Sequence, residues 1–298
     1  MNINGVTIED TFAEAFGMTA TRVVITANSA DWARNAAVSM TGFATSVIAC
    51  GCEAGIERML APEETPDGRP GVSVLIFAMS TKDLQKQLRD RVGQCVLTAA
   101  GSACFAGLEG GETLKLGAML RYFGDGFQIA KKFGGRRYWR IPVMDGEFVC
   151  EDTVGTANGV GGGNFLVLAA SRAAALAATE RAVAAMRQVP NIILPFPGGM
   201  VRSGSKIGSK YKGLIASTND AYCPTLKGQT ATALPPEVES VLEVVIDGLT
   251  AEDIRAAMRA GIRAACEPGA AGGVLRISAG NYGGKLGKFL FPLRELLA

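Results

Sequence analysis

One local pattern is written twice along this chain, and it restricts the fold more than any other feature. Four segments with apolar residues at helical spacing each begin directly after a hydroxyl residue: Ser29, Ser80, Ser171 and Thr250. A Ser or Thr at that position accepts a backbone N–H of the first helical turn. Asp83 and Asp253 stand three residues beyond Ser80 and Thr250, which resembles a capping box. The first helix includes Trp32. Leu84, Leu88, Val92 and Cys95 share one face of the second. Leu176, Thr179, Val183 and Met186 form a stripe on the third, and Ile254, Met258 and Ile262 on the fourth. Strand-like runs precede the helices at 21–27, 72–79, 164–170 and 241–249, and others follow at 45–50, 191–197 and 274–279. The order strand–helix–strand, then strand–helix, occurs in each half. It predicts an α+β fold of two ferredoxin-like α/β sandwich lobes, the split βαβ pattern used twice, with the first lobe at 1–150 and the second at 151–298.

Residues 113–154 break the pattern. GDG at 124–126, FGGRRYWRIPV and MDGEFVCEDTV read as inserted β-ribbons joined by Asp-Gly and Gly-Gly turns. Two turn-rich links, 62–71 and 217–237, are long enough that a functional role is the ordinary reason for them.

Composition removes several function classes. The chain has 298 residues and no histidine. Ser-His-Asp and Cys-His catalysis are therefore excluded, as are histidine-based zinc and iron sites. Acid–base work falls to carboxylates, Lys, Tyr, Cys or backbone. A net charge of +2 points to neither nucleic acid nor an anionic membrane. The longest apolar stretch, 96–108, is too short and too weak to cross a bilayer, and MNINGVTIEDTF is no signal peptide. The expectation is a soluble, cytoplasmic protein. Its seven scattered cysteines, odd in number and without CxxC, read as reduced thiols.

Within VLEVVIDGL (241–249) a carboxylate interrupts an apolar strand. Val241, Glu243 and Val245 share one face, and Leu242, Val244 and Ile246 the other. Both faces are apolar, so both are expected to be covered. A carboxylate there is costly unless paired or neutralised. Either Glu243 has a buried partner or its strand faces a site, and burial would lift its pKa into a range useful for proton transfer. Other stretches are weaker. GTANGVGGGNF (155–165) opens into a strand rather than a helix, so it reads as a flexible entry loop and not a dinucleotide site. CGC at 50–52 reads as a strand-end thiol pair, and Cys223, lacking a histidine base, as a structural thiol. MVRSGSKIGSKYKG (200–213) is either a solvated loop or a holder for a polar cofactor tail. STNDAYCPT (217–225) is dense in donors and acceptors, which favours a binding loop over a mere turn. SAGNYGGKLG (278–287) is a tight corner or a close approach to ligand.

The stretches NGVTIEDTFAEAF, APEETPDGRPG, FGDGFQ, IPVMDGEFVCED, GVGGGNF, PFPGGMV, SKIGSK, ASTNDAYCPT and ISAGNYGGKLG, with others between them, resemble from end to end the formylmethanofuran:tetrahydromethanopterin formyltransferase family. The resemblance implies transfer of a formyl group between a pterin ring nitrogen of tetrahydromethanopterin and the amine of methanofuran. It implies two α/β lobes, a homotetramer with active sites at subunit contacts, and no metal or prosthetic group, the two carriers being substrates. Archaeal members are acidic, whereas this chain is near neutral, alanine-rich and glycine-rich over 101–120. It therefore resembles a bacterial, methylotroph-type member, one component of a formyltransferase/hydrolase complex working from formyl-tetrahydromethanopterin toward formate in formaldehyde oxidation, with methanofuran or an analogue as carrier. The family's catalytic carboxylate carries over to Glu243. Binding positions carry over at motif level to Asn164, Phe165, Lys206, Asn219, Asp220, Tyr222 and Asn281. Two other functions remain open at this point: a non-catalytic pterin-binding scaffold subunit, and a hydrolase that releases formate without the furan carrier.

Overall fold

The computed structural model describes residues 1–298. Strand β1 (Phe12–Thr26) leads through α1 (Ala30–Thr41) to β2 (Glu53–Leu60) and β3 (Gly71–Ala78), then through α2 (Thr81–Arg91) to β4 (Ala103–Ala106). A ribbon of β5 (Ile129–Phe133), β6 (Arg136–Val143) and β7 (Gly146–Glu151) follows. The pattern then repeats: β8 (Ala157–Ala169), α3 (Arg172–Met186), β9 (Ile192–Ile193), β10 (Ser240–Gly248), α4 (Ala251–Ala265), β11 (Val274–Ser278) and β12 (Phe289–Pro292). In the first half the strands lie in the order β2-β3-β1-β4, and in the second β9-β10-β8-β11, all antiparallel. That is the ferredoxin-like order in both.

All four helices start where the hydroxyl residues stand. Ser29 accepts from Trp32 N, Ser80 from Asp83 N, Ser171 from Ala174 N and Thr250 from Asp253 N. Each such cap is worth about 1 kcal/mol. The stripes bury as expected on α2 with the helical turn that continues it, and on α4: Leu84, Leu88, Val92, Ile254, Met258 and Ile262 are fully buried, and Cys95 is half-buried. On α3 one member differs. Leu176 points outward, and Ala175, Ala178 and Ala182 supply the close face instead. Small side chains let α3 lie close to its neighbours, so the buried stripe runs one position to the side of the larger residue.

Three sequence expectations are corrected. Residues 45–50 are not a strand. Ser46 stands at the N-terminus of a one-turn helix, Val47–Cys50, and Gly51 ends it in the left-handed conformation at φ 74°. CGC is thus a helix-to-strand turn rather than a strand end, and all seven cysteines are unpaired. GTANGVGGG is not a flexible loop. Residues 157–163 are the first half of β8 and pair with β1, Ala157 opposite Ala20 through Gly161 opposite Phe16. GDG at 124–126 ends a short helical turn, with Asp125 at φ 50°, before the ribbon begins.

The pairing of β8 with β1 fuses the two half-sheets into one continuous sheet. Two large cores sit beneath the helices, one per half. The first fifteen residues cross over: Val6, Ile8, Ala13 and Ala15 pack in the core of the second half, and the strand Val6–Ile8 pairs with β11. No helix is long and apolar enough to cross a membrane.

Candidate active site

The sheet of the second half is covered on both faces. Helices α3 and α4 cover one, where Val244, Ile246 and Phe165 are buried. On the other face the segment through 222–238 packs on Leu166 and Leu168. Between that cover, the 278–287 loop and the first half lies a cleft of about 750 Å³. Glu243 and Val245 of β10 and Asn164 and Leu166 of β8 line it, as strand alternation requires.

Glu243 is partly buried in this wall. Its backbone pairs with Val201, N to O at 2.9 and O to N at 2.7 Å, which fixes the strand edge. Its carboxyl receives no hydrogen bond from the protein, and burial alone pushes its pKa up to about 7. Gly204 passes so close that a Cβ there would lie 3.2 Å from Glu243 Oε2. The carboxylate in VLEVVIDGL thus has no buried partner, and its strand faces a cleft.

The surrounding wall is built from long-range clamps. Asn164 is buried and holds Gly280 by both polar groups: Gly280 N donates to Oδ1 at 2.6 Å, and Nδ2 donates to Gly280 O at 3.0 Å. Asn281 Nδ2 donates to Thr11 Oγ1 and Phe12 O, 3.2 and 3.1 Å. Glu14, 1 % exposed, accepts four backbone N–H groups, from Tyr282, Gly284, Leu286 and Gly287, at 2.6–2.8 Å. Burial works to raise its pKa, but those four donors override it and hold the carboxyl at about 2. The loop is thereby fixed with Tyr282 over Phe16, ring centroids 6.0 Å apart. Burial raises the Tyr282 phenol, and the charges of Glu243 and Glu14 raise it further.

Of the residues singled out in the sequence, Asn164, Lys206, Asn219, Tyr222, Glu243 and Asn281 line this one cleft. Two do not. Phe165 is fully buried in the core beneath α3 and α4, because neighbouring residues on a strand face opposite ways. Asp220 is not a wall residue; it pairs with Lys206, which holds its carboxyl below the usual range and anchors the Lys206 side chain. Tyr222 OH lies 3.3 Å from Ser278 Oγ, and Cys223 Sγ donates to Asn219 O at 3.3 Å, so this thiol serves the loop. No group of three His, Cys, Asp or Glu side chains comes together to hold a metal.

Sequence reasoning missed Glu14, although the signal was that of Glu243: an acid among small apolar residues, Ala13 and Ala15, in a strand. It also missed the carboxyl pair of Glu53, which lines the cleft, and Asp247, which is fully buried. Asp247 follows Glu243 at even spacing in the same strand.

The family model described as formylmethanofuran-tetrahydromethanopterin formyltransferase matches residues 1–143, and the one described as its proximal lobe matches residues 146–296. The formylmethanofuran--tetrahydromethanopterin formyltransferase of Methylococcus capsulatus is 70% identical over 298 residues, 100% of each chain. A subunit of the formyltransferase/hydrolase complex of Methylorubrum extorquens is 56% identical over 301 residues, covering 99% of this chain and 97% of that one. Among solved structures, the formyltransferase/hydrolase complex of Methylorubrum extorquens with methylofuran matches with a TM-score of 0.98 at 55% identity, covering 100% of this chain and 99% of that one. The formyltransferase of Methanosarcina barkeri matches with a TM-score of 0.94 at 49% identity, covering 99% and 100%.

Proposed function

The chain belongs to the formylmethanofuran-tetrahydromethanopterin formyltransferase family, and from that premise we propose that its cleft transfers a formyl group between the pterin nitrogen of tetrahydromethanopterin and the amine of methanofuran or an analogue, with Glu243 as the proton-transferring group. The observation that carries the role of Glu243 is its carboxyl: without a protein hydrogen bond, raised to about 7, and in the wall of the cleft of a chain with no histidine.

The chemistry follows from that placement. One amine nitrogen attacks the formyl carbon and a C–N bond forms. The tetrahedral intermediate places negative charge on the formyl oxygen, and the attacking nitrogen must lose a proton. Glu243 accepts that proton and returns it to the departing nitrogen as the second C–N bond breaks, so the carboxyl ends as it began. The Asn219 amide and the Tyr222 hydroxyl, which line the same cleft, are the donors for the developing oxyanion. Holding two carriers in one cleft supplies much of the rate by orientation, which is the use of the rigid 278–287 loop. Lys206, steadied by Asp220, offers a cation for a carrier's acidic or polar tail. We also assign the chain a homo-oligomeric state, tetramer by family resemblance, a cytoplasmic location, and the other components of a formyltransferase/hydrolase complex as partners, with flow toward formate. The partner assignment is supported by the Methylorubrum extorquens relative, which is itself part of such a complex.

The test is one assay: the purified chain with formyl-tetrahydromethanopterin and methanofuran, followed by pterin absorbance. Loss of the formyl pterin that depends on the furan carrier is expected. Loss without it would make the chain a hydrolase. Binding of the pterin without any loss would make it a scaffold subunit, and either result would overturn the reading.

A further inference from the structure

The cleft has a second acidic feature in its wall. Glu53, at the start of β2 in the first half, meets Asp247 of β10 in the second. Both are nine-tenths buried or more, at 8% and 0% exposed. Glu53 Oε1 accepts Val47 N at 3.1 Å, and Asp247 Oδ1 accepts Gly162 N at 3.0 Å. Asp247 Oδ2 is buried and has no hydrogen-bond partner. Burial raises the pKa of each, and the Glu53 charge raises Asp247 further. Of the pair, Glu53 is the member that lines the cleft, with Asp247 buried behind it. A protein that only needed to join its halves here would do so with fewer polar groups in an apolar wall. The cleft that Glu53 lines is also walled by apolar side chains, among them Met18, Val47, Ile48, Met79 and Phe196. Gly161 is required beside it, since a Cβ there would meet Met18 Sδ at 2.1 Å and Asp247 Oδ1 at 3.1 Å.

We infer that the Glu53–Asp247 pair recognises the amino-pyrimidinone edge of the pterin carrier, so that the rings lie along β10 with the reactive nitrogen at Glu243. This rests on the formyl-transfer reading. The edge of such a ring offers two parallel donors, a ring N–H and the exocyclic amine. A carboxylate with free lone pairs accepts both, in the bidentate geometry it uses with a guanidinium. The spacing agrees. Asp247 and Glu243 face the same way four residues apart, about 13 Å at the strand rise. That length takes a fused two-ring heterocycle with a hydrogen bond at one end and a formyl group at the other. Val245 lies between them and offers the rings an apolar floor.

The test separates recognition from a latch between the halves. In Glu53→Gln an acceptor oxygen becomes an amide donor facing the pterin's donors. The KM for the pterin should rise about tenfold or more, with the KM for the furan carrier and the melting temperature little changed. An unchanged pterin KM would overturn the inference. So would an equal rise in both KM values with a lowered melting temperature, which is the signature of a latch. Should the variant not fold, the wild-type protein answers alone: tetrahydromethanopterin and its 2-desamino analogue are titrated against it. The analogue should bind about tenfold more weakly, and equal binding overturns the inference. A wild-type protein that binds the pterin with this preference but transfers no formyl group would overturn the transferase reading and leave the recognition site standing.

Discussion

At the scale of single residues, the two acids of the cleft are opposites. Glu14 is held at about 2 by four backbone donors, and Glu243 is lifted to about 7 by burial without one. A catalytic base must be ionised, so the kcat/KM of the wild type should rise with pH through about 7 and then level. Glu243→Gln should lose about 10²–10⁴-fold in kcat and lose that limb of the profile. A pH–rate comparison of the two proteins checks it, and a variant that kept full turnover would remove Glu243 from the mechanism. The same shift has a consequence for stability. The folded protein binds the Glu243 proton more tightly than the unfolded chain does. Stability therefore falls as pH rises from about 4.5 to about 7, and stays at the lower value above that. Glu243→Gln removes this loss and should be more stable than the wild type at pH 8, by on the order of 1–2 kcal/mol after allowance for solvent screening, but not at pH 4. Thermal melts at the two pH values measure it. Glu14 runs the other way: its stabilisation is present above about 4.5 and is lost as pH falls toward about 2.

At the scale of elements, the glycines of β8 show what the sequence did and did not disclose. Read locally, GVGGG is loop-like. In the fold each glycine answers a neighbour far along the chain. A Cβ on Gly159 would lie 2.8 Å from a ring carbon of Phe77, and one on Gly163 would lie 2.5 Å from Ile254 Cγ2. The glycines let α4 and β3 close upon the strand. Gly163→Ala should therefore destabilise the fold by roughly 1–3 kcal/mol of overpacking and lower the melting temperature, not raise it as a substitution in a loop would. Calorimetry distinguishes the two. What was legible were features with a local cause: hydroxyl caps at Ser29, Ser80, Ser171 and Thr250, the apolar runs of β3 and β10, and the misplaced carboxylate at 243. What was not legible depended on distant partners. The four amides that explain Glu14 lie some 270 positions away. The run at 45–50 has β-formers, yet Ser46 and Gly51 close it into a helical turn. The true strand, EAGIERML, is less apolar because it pairs on one side only in this half-sheet.

At the scale of the whole molecule, the chain's two halves are written in sequence but not folded in sequence. A division at residue 150 follows the helices. Yet Val6, Ile8, Ala13 and Ala15 belong to the core of the second half, and β1 and β8 bind the half-sheets together. A part-buried network crosses the same junction. Arg22 clasps Glu57 with two N–H groups and donates to Asn191 Oδ1 at 2.7 Å, and Asn191 Nδ2 reaches Asp253 at 3.2 Å. The cleft needs this arrangement, since Glu14 and Glu53 come from one half and Glu243, Asn164 and Asn281 from the other. The wild type should therefore unfold in one cooperative transition, although it has two cores. A fragment of residues 151–298 should not fold by itself. It lacks the edge strand beside β11 and leaves the apolar sites of residues 6–15 open to water, at about 0.8 kcal/mol for each methylene left exposed. Supplying residues 1–17 as a separate peptide should restore its circular dichroism and its cooperative melt. If the fragment folded alone, or ignored the peptide, the halves would be independent domains, and the cleft would owe its shape to docking and not to a shared sheet.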